Sequence, residues 1–454
     1  MSLWPEDWIR RMAEQLREEM PAFLQSLEVP ALRGLRFHPG KSFPDLLEWA
    51  DLEQRIPWEE NGWYLRKDST AGTTVWHEAG VFYLQEPSAM IPGTVLGARP
   101  GEIILDLCAA PGGKATQMGL AMAGKGLLVA NEPVEKRARI LSRNIERMGI
   151  PNAIVTCERP EELARKWGGI FDAVLVDAPC SGEGMFRREP DTRAEWSQEN
   201  AAGCARRQRE ILKAAAQLVR PGGRLIYSTC TFNPEENQRM AAWFVDTFSE
   251  YELRPFQVAG LEGPDGWLMA CPHQIRGEGQ FVASIKRKAS GSASGQTVGG
   301  LGHPDLKVVD RSTRESWERA FPGMPEATHF FGNMLIRLEM SPPLKGVRVL
   351  RAGLHLGEMR GRVPIPDHAA ALVFPAIRHQ ACDLTEAEAA RYLAGEAIEH
   401  PEEGWVIVKL QGVALGWCKG SGGLLRNHYP KGLRNSRISC ELPNKACQNT
   451  KKEI

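Results

Sequence analysis

The sequence predicts an α/β fold built on a parallel, doubly wound sheet of the Rossmann type. Short apolar runs alternate with helical segments between residues 103 and 227, and the connections between them are short. This alternation is typical of βαβ units, in which helices join parallel strands. A second observation is the glycine turn Gly112-Gly113, which lies directly between a strand and a helix. Sheets of this kind bind their ligands at that position.

The first 30 residues are expected to form a small helical unit, interrupted near Pro21. Their apolar residues recur at the spacing of a helix face. These residues are Trp8, Met12, Leu16, Met20, Phe23 and Leu27. The segment GLRFHPGKSFPDLLEW then combines a short strand with turn residues. Residues 81–83 lead into the alternating region.

The alternating region supplies the elements of the predicted sheet. Strands are predicted at 103–106, 127–130, 153–156, 173–176 and 224–227, and helices at 114–122, 133–148 and 200–218. Pro133 suits the start of the second helix, because the first turn does not use the backbone N–H that proline lacks. After Lys288 the run ASGSASGQTVGGLG has the composition of a flexible linker. Short β-like runs at 347–350, 371–374 and 405–410 indicate one or two small β-rich modules, and the polar end of the chain is expected to be disordered.

Composition and cysteine usage indicate a cytoplasmic, globular protein. The chain is 43% hydrophobic and 25% charged, and no apolar run approaches the roughly 20 residues that a membrane helix needs. The first residues lack the apolar core and cleavage site of a secretory signal. None of the ten cysteines is spaced Cys-x-x-Cys. We therefore expect reduced thiols and no metal site.

Positive charge is clustered although the net charge is zero. Lysine plus arginine equals aspartate plus glutamate, 56 of each. The clusters are Lys136, Arg137, Arg139 and Arg143; Arg206, Arg207 and Arg209; and Lys419, Arg426, His428, Lys431, Arg434 and Arg437. Each cluster suits either a solvated surface or contact with nucleic acid.

The segment ILDLCAAPGGKATQM predicts a cofactor site. Its glycines let backbone amides and a helix N-terminus approach a ligand. It is not a P-loop, because that motif needs glycine where Cys108 stands. Glu132 ends the next strand about 20 residues later, where a carboxylate can bind both ribose hydroxyls. The glycine turn and Glu132 together fit any adenosine-type cofactor, although the GxGxxG motif of dinucleotide sites is absent. Alternatively, Glu132 only caps the following helix.

Two cysteines are candidates to face one pocket. VDAPCSGEGMF ends the fourth predicted strand and YSTCTFNPEEN follows the fifth, so Cys180 and Cys230 both lie at carboxyl ends of strands. Doubly wound sheets hold their ligands at that edge. The alternative is structural, because buried free cysteine is common in protein cores.

These segments together resemble the RNA 5-methylcytosine methyltransferases of the NOL1/NOP2/Sun group, and within it the bacterial RsmF-like ribosomal RNA methyltransferases. FYLQEPSAM, GEGQFVASIKRK and KGSGGLLRNHYPKGLR support the resemblance. It implies a class I S-adenosylmethionine-dependent methyltransferase core with added RNA-binding regions. The expected domains are an N-terminal α/β RNA-contacting region at 1–75, the catalytic core at 76–288, a linker at 289–303, a small intermediate module at 304–345, a PUA-like RNA-binding module at 346–437 and a polar tail at 438–454.

The resemblance also implies the reaction. Cytosine C5 is a weak nucleophile, so a thiolate first adds to C6 and makes C5 reactive, which is covalent catalysis. By resemblance the nucleophile is Cys230, Cys180 releases the product, and Asp177 contacts both the cofactor and the target base. The substrate must be single-stranded or flipped out, because a duplex hides C6. We expect S-adenosylmethionine as cofactor, RNA as partner, most simply 16S rRNA or the small ribosomal subunit, and a monomeric enzyme.

The resemblance further implies a set of cofactor-binding residues. These are Cys108, Ala109, Ala110, Pro111, Gly112, Gly113, Lys114, Glu132, Arg137 and Asp177. The chain departs from the family's pattern at two places. Glu158 is followed by Arg159 where relatives often carry an acidic residue near the adenine, and His38-Pro39 replaces an Asn-Thr pair.

Four alternatives stay open at this stage. The substrate could be transfer RNA, or the chain could be a noncatalytic RNA-binding ribosome-assembly factor. A Rossmann oxidoreductase is disfavoured by the missing GxGxxG and does not explain two cysteines at strand ends. A DNA cytosine methyltransferase would place its nucleophile at the position of Cys180 instead of Cys230.

Overall fold

A computed structural model describes residues 4–41, 52–189, 191–289, 305–373 and 380–436. The predicted polar tail and, apart from residue 289, the predicted linker lie outside these ranges. Within them, no helix is long and apolar enough to cross a membrane.

In the described residues up to Leu84, the N-terminal region combines three α-helices with a small antiparallel sheet of order β2-β3-β1-β4. Its elements are α1 (Glu6–Leu16), α2 (Met20–Glu28), β1 (Arg33–Phe37), β2 (Leu52–Arg55), β3 (Gly62–Leu65), α3 (Val75–Glu78) and β4 (Phe82–Leu84). The helical unit forms as predicted. Its break falls at Arg17, which has a φ of 48°, and Pro21 lies in the first turn of α2, where proline is tolerated.

The region predicted to be the catalytic core confirms the predicted α/β fold. Its elements are α4 (Ile91–Leu96), β5 (Ile103–Asp106), α5 (Gly113–Ala121), β6 (Leu127–Asn131), α6 (Glu135–Arg147), β7 (Ala153–Thr156), α7 (Pro160–Trp167), β8 (Phe171–Asp177), α8 (Asp191–Glu195), α9 (Gln198–Leu218), β9 (Val219–Thr229), α10 (Gln238–Thr247), β10 (Tyr251–Leu253), β11 (Phe256–Val258), β12 (Leu261–Gly263), β13 (Trp267–Ala270) and β14 (Gln280–Arg287). Strands β7-β6-β5-β8-β9 are parallel neighbours in that order. The order reverses between β5 and β8, so a ligand is expected at their carboxyl ends.

The sheet is not parallel throughout. β14 pairs antiparallel with β9, and β10 and β13 pair antiparallel with β14. At the opposite edge, β18 (Val349–Ala352) pairs antiparallel with β7, although about 190 residues separate them in the chain. Local periodicity indicates that a segment is a strand but does not identify its partner, so the sequence did not predict these edges.

Within residues 305–373 and 380–436, the structure contains two further five-stranded sheets. The first part contains β15 (Lys307–Val308), α11 (Arg311–Ala320), β16 (His329–Phe331), β17 (Met334–Arg337), β19 (Leu354–Arg360), β20 (Val363–Pro366) and α12 (His368–Leu372). The second part contains β21 (Ala381–Asp383), α13 (Glu386–Ala394), β22 (Ile398–Glu399), β23 (Gly404–Leu410), β24 (Val413–Ser421) and β25 (Leu424–Asn427). The sheet orders are β15-β16-β17-β19-β20 and β21-β23-β24-β25-β22.

Two predictions for this half need correction. The boundary at residue 346 divides the first sheet, because β17 hydrogen-bonds to β19 across it. The prediction of a strand at 371–374 is wrong for the residues that the structure describes. Residues 371 and 372 end α12, and the side chain of Asp367 caps the start of that helix. Residue 374 lies outside the described ranges. Strand predictions near 347–350 and at 405–410 correspond to β18 and β23.

The second part, from β21 to β25, is called the C-terminal module below. It packs against two other parts of the protein. One apolar cluster joins Trp76 and Phe82 of the N-terminal region to Leu415 of β24. A second joins Phe321 of the intermediate region to Trp417, with ring centroids 5.6 Å apart. The module is therefore anchored on two sides.

Replacing Gly80 by alanine is expected to destabilise the junction between the N-terminal region and α6. Gly80 has a φ of +67°, and a Cβ there would lie 1.9 Å from the carbonyl oxygen of Arg147. The left-handed backbone costs roughly 1–2 kcal/mol and the displaced neighbour roughly 1–3 more. Gly97→Ala is a matched control, since Gly97 has a φ of +61° and its nearest neighbour would be 3.8 Å away. Thermal unfolding should show a larger loss for Gly80→Ala; equal losses would contradict this.

Candidate active site

A cavity of about 350 Å³ opens at the carboxyl ends of β5, β8 and β9. Its wall includes the glycine loop after β5, the ends of β8 and β14, and Cys230 after β9. The N-terminal region completes it with Leu32, Arg33 and Gly34. The region predicted to contact RNA therefore also forms part of this cavity.

The N-terminal region holds the glycine loop in place through Arg36. This buried side chain donates to the carbonyl oxygen of Gly113 and to Oγ1 of Thr116, both at 2.9 Å. Gly112 itself has a φ of +119°, which an L side chain rarely adopts. The loop's conformation thus depends on a glycine that the sequence indicated and on an arginine that it did not.

The two cysteines meet at the wall of this cavity, which Cys230 lines and Cys180 does not. The Sγ atoms of Cys180 and Cys230 lie 3.3 Å apart, because β8 and β9 are parallel neighbours that end at the same edge. Cys230 lines the cavity. Its hydrogen bond to Cys180, together with burial, raises the pKa of Cys180 well above the ordinary value of a thiol. Cys180 is therefore held as a neutral thiol beside Cys230.

Asp177 is the centre of a small polar network. Its Oδ2 accepts a hydrogen bond from Nζ of Lys114 at 2.7 Å, and its Oδ1 accepts from Oγ of Ser228 at 2.7 Å and from Nε2 of Gln280 at 3.3 Å. Burial disfavours the Lys114 ammonium, but Asp177 outweighs it and raises the pKa of Lys114, with Cys230 acting in the same direction. Ser228 and Gln280 were not identified from the sequence.

Glu132 lies buried beside the glycine loop but is not among the residues that line the cavity. Its Oε1 accepts from the backbone N–H of Val134, the residue before α6, at 3.0 Å, and not from an N–H of the first turn of that helix. Its Oε2 lies 3.2 Å from Arg137, which in turn donates to the carbonyl oxygen of Ala110 at 3.0 Å. Glu132 and Arg137 thus support the loop on which the cofactor is expected.

The two departures from the family's pattern have structural explanations. Glu158 accepts a hydrogen bond from the backbone N–H of Arg348 at 2.7 Å, so its carboxylate holds β18 against the sheet. The imidazole of His38 accepts from the N–H of Gly40 at 2.9 Å, and burial lowers its pKa to about 3. His38 is therefore a neutral turn residue.

Asp106 is a site residue that the sequence analysis missed. It ends β5, lines the cavity and is 1% exposed. Neither of its carboxylate oxygens accepts a hydrogen bond from a described residue. Burial, and then the charge of Asp177, raises the pKa of Asp106 to about 8. The sequence signal that could have identified Asp106 is its position at the end of a buried strand, directly before the glycine loop.

The order of matched regions identifies the family. Three protein-family models match the chain. The model of 16S rRNA methyltransferase RsmB/F matches residues 93–286, that of the N-terminal domain of 16S rRNA methyltransferase RsmF matches 4–87, and that of the methyltransferase RsmF PUA domain matches 380–435. The chain is 33% identical to ribosomal RNA small subunit methyltransferase F of Klebsiella pneumoniae, with 92% of this chain and 95% of that protein covered. The chain belongs to the RsmB/F family of 16S rRNA methyltransferases. This confirms the resemblance seen in the sequence.

Further relatives agree with this assignment. Ribosomal RNA small subunit methyltransferase F of Salmonella typhi is 32% identical, with 92% of this chain and 95% of that protein covered. A methyltransferase homologue from Pyrococcus horikoshii is 30% identical, has a TM-score of 0.52, and covers 60% of this chain and 91% of its own. NSun6 from the same organism, solved with SFG, shares the fold at 20% identity, with a TM-score of 0.56 and with 63% of this chain and 99% of that chain covered.

S-adenosylmethionine is the cofactor of this RsmB/F methyltransferase, and the cavity fits it. The two unpartnered oxygens of Asp106 require a hydrogen-bond donor. The ammonium group at the methionine end of the cofactor supplies such a donor with a positive charge. Lys114 and the glycine loop lie beside Asp106 around the same space.

We expect Asp106→Asn to weaken cofactor binding about 10- to 100-fold, since a hydrogen bond to a charged group contributes about 1.5–3 kcal/mol. It should also stabilise the ligand-free protein. The unfolded chain loses the Asp106 proton above its ordinary pKa of 3.8, whereas the folded chain keeps it up to about 8. Stability therefore falls as pH rises through that window, and asparagine removes the loss. Calorimetric titration and unfolding at pH 5 and pH 8 test both effects. Unchanged cofactor affinity would contradict the assignment.

Proposed function

We propose that this RsmB/F methyltransferase methylates C5 of a cytosine in 16S rRNA, with Cys230 as the covalent nucleophile. The observation that carries the proposal is the 3.3 Å contact between the Sγ atoms of Cys180 and Cys230, because Cys230 lines the same cavity as the Lys114–Asp177 ion pair. Two thiols and one ion pair supply the groups that addition to C6 and later elimination require.

Cys230 is the better nucleophile of the two thiols. It lines the cavity, where an entering base can reach it, and it interacts electrostatically with the Lys114 ammonium. Cys180 has a raised pKa and therefore keeps its proton. The Cys230 thiolate adds to C6 and raises electron density at C5. Once C5 carries the methyl group and the cofactor has become S-adenosylhomocysteine, a general base removes the C5 proton, the C5–C6 double bond forms again and the C6–S bond to Cys230 breaks. We assign Cys180 to this release step.

Asp177 is suited to recognise the target base. It pairs with the Lys114 ammonium, and a carboxylate in such a pair accepts hydrogen bonds. Cytosine presents an amino group at C4, whereas uracil presents a carbonyl oxygen. Asp177 therefore favours cytosine.

The cofactor supplies a methyl group on a sulfonium sulfur. We propose that the loop from Cys108 to Lys114 surrounds its methionine end, that Asp106 accepts its ammonium group, and that Glu132 accepts from its ribose hydroxyls. Arg137 keeps Glu132 and the loop together through its contacts to both.

RNA enters past cations at the mouth of this cavity. Arg33 and the exposed Arg188 line it, and phosphate groups bind such side chains. On the C-terminal module, Lys419 lies over the ring of Trp405 and His428 packs against it, a surface that suits stacking of unpaired bases. The choice of 16S rRNA follows from the names of the relatives, and it implies a cytoplasmic enzyme. We propose that it acts as a monomer.

The test is transfer of labelled methyl groups to unmodified 16S rRNA, small ribosomal subunits and transfer RNA, followed by nucleoside analysis and mapping at base resolution. We expect 5-methylcytosine in 16S rRNA, free or in the subunit, and none in transfer RNA. Label on another base or another atom would refute C5 chemistry. Label confined to transfer RNA would refute the substrate, and cofactor binding without transfer to any RNA would indicate a noncatalytic assembly factor.

A further inference from the structure

We propose that Glu183 and Glu236 are positioning residues that clasp the two cysteine-bearing loops together and keep Cys180 in place for product release. The inference rests on the proposed function. Glu183 follows Cys180 in the loop after β8, and Glu236 follows Cys230 in the loop after β9. Each glutamate accepts hydrogen bonds from the backbone of the other loop.

Glu183 reaches across to the loop that carries Cys230. Its Oε2 accepts from the backbone N–H of Phe232 at 3.2 Å and from Arg11 at 2.6 Å, and its Oε1 accepts from the indole N–H of Trp196 at 2.9 Å. The Glu183 side chain is fully buried. A buried carboxylate with three donors, one of which is a cation, is rigidly oriented.

Glu236 makes the reciprocal contact. Its Oε2 accepts from the backbone N–H of Ser181 at 3.0 Å and from Nε2 of Gln208 at 2.9 Å, and its Oε1 accepts from Oγ of Ser181 at 2.5 Å. Gln208 also donates to the carbonyl oxygen of Pro179 at 3.0 Å. Both residues that flank Cys180 are therefore fixed by this network. Burial raises the pKa of Glu236.

Direct contacts between the loops leave little freedom. The N–H of Gly184 donates to the carbonyl oxygen of Cys230 at 2.8 Å, and a Cβ on Gly184 would lie 2.9 Å from that oxygen. The hydroxyls of Ser181 and Thr231 are 2.8 Å apart. The spacing of the two sulfurs is therefore set by polar contacts between the loops.

The N-terminal helices support the clasp from outside. Arg11 of α1 provides the cation on Glu183. The rings of Trp8 and Phe186 lie 5.5 Å apart, and Phe23 of α2 contacts Phe232 edge-on at 5.2 Å. One apolar cluster thus covers both loops. The helical unit has a role at the catalytic loops in addition to any contact with RNA.

The clasp matters most after Cys230 has bonded to the base. Cys230 is then held by the RNA, whereas Cys180 depends on its own loop for its position. Loosening the loop that carries Cys180 should therefore slow release of the product more than it slows methyl transfer. A purely structural role would lower both steps in the same proportion.

The experiment measures both steps in Glu236→Gln and Glu183→Gln, using the full chain, S-adenosylmethionine and the RNA that the wild type methylates. Single-turnover methyl transfer is compared with the fraction of enzyme left as a covalent RNA adduct on a denaturing gel. We expect methyl transfer within about fivefold of wild type and an adduct fraction raised at least about fivefold, since a weakened buried hydrogen bond changes rates by such factors. Glu235→Gln is the matched control, because Glu235 is half-exposed and pairs with Arg239 on the surface; it should behave as wild type.

Ser181→Ala is a milder variant in case the glutamine variants do not fold. It removes one hydroxyl from the clasp and keeps the backbone contact to Glu236, so it should raise the adduct fraction in the same direction. A folded Ser181→Ala protein with an unchanged adduct fraction would overturn the inference, as would glutamine variants that slow both steps equally. If the wild type forms no 5-methylcytosine and Cys180→Ala forms no adduct, the proposed function fails instead.

Discussion

Replacing Cys230 by alanine is expected to abolish methyl transfer to RNA. Removing a covalent nucleophile costs on the order of 10³-fold or more in rate, because no other group then activates the reacting carbon. The Cys180 thiol does not substitute for it, because Cys180 does not line the cavity and burial still raises its pKa when the hydrogen bond to Cys230 is lost. Cofactor binding should be unchanged, because the loss concerns the RNA base and not the glycine loop. The rate is measured with labelled S-adenosylmethionine and affinity by calorimetric titration.

Cys204→Ala is the control for loss of a thiol. Cys204 is a free, partly buried cysteine on α9, outside the set of residues that line the cavity. Its alanine variant should retain wild-type activity. Methyl transfer by Cys230→Ala at more than a few per cent of the wild-type rate would exclude the covalent scheme through Cys230, and the nucleophile would have to be sought at Cys180.

Cys180→Ala is expected to trap the enzyme on its product. One methyl group per enzyme should still be transferred, because Cys230 and the Lys114–Asp177 pair remain. Repeated turnover should fall on the order of 100-fold or more, since general acid–base help in a step is typically worth that much. A covalent complex with RNA should accumulate and be visible on a denaturing gel.

The double variant Cys180→Ala/Cys230→Ala separates a true adduct from tight binding. It should form no complex that survives denaturation, because the bond to C6 requires the Cys230 sulfur. If Cys180→Ala turned over normally, the release role would be wrong. If it were inactive while Cys230→Ala was active, the site would follow the DNA methyltransferase order, with the nucleophile on the loop after β8.

Much of the active site could be predicted from the sequence because its parts are local. Gly112 and Gly113 stand between a strand and a helix, and Cys180 and Cys230 each follow a buried strand. Parallel strands in a doubly wound sheet bring their carboxyl ends to one edge, so the convergence of these loops followed from strand order alone. The structure places the two sulfurs in contact, as that argument requires.

Other contacts depend on residues far apart in the chain, which periodicity does not connect. Arg11 reaches Glu183 across 172 positions, and β18 joins the core sheet through Arg348 and Glu158, 190 positions apart. The role of Asp106 also required the structure, because only burial without a partner distinguishes it from other strand-end carboxylates.

The sequence by itself determined the fold class, the position of the glycine loop and the two cysteines at strand ends, since each is encoded by neighbouring residues and by the alternation of strand and helix. Only the tertiary structure decided the clasp of Glu183 and Glu236, the support of the glycine loop by Arg36, and the division of the C-terminal half. These depend on which surfaces pack together. Packing is selected by burial and hydrogen bonding over the whole chain, and a local pattern carries no record of the distant partner.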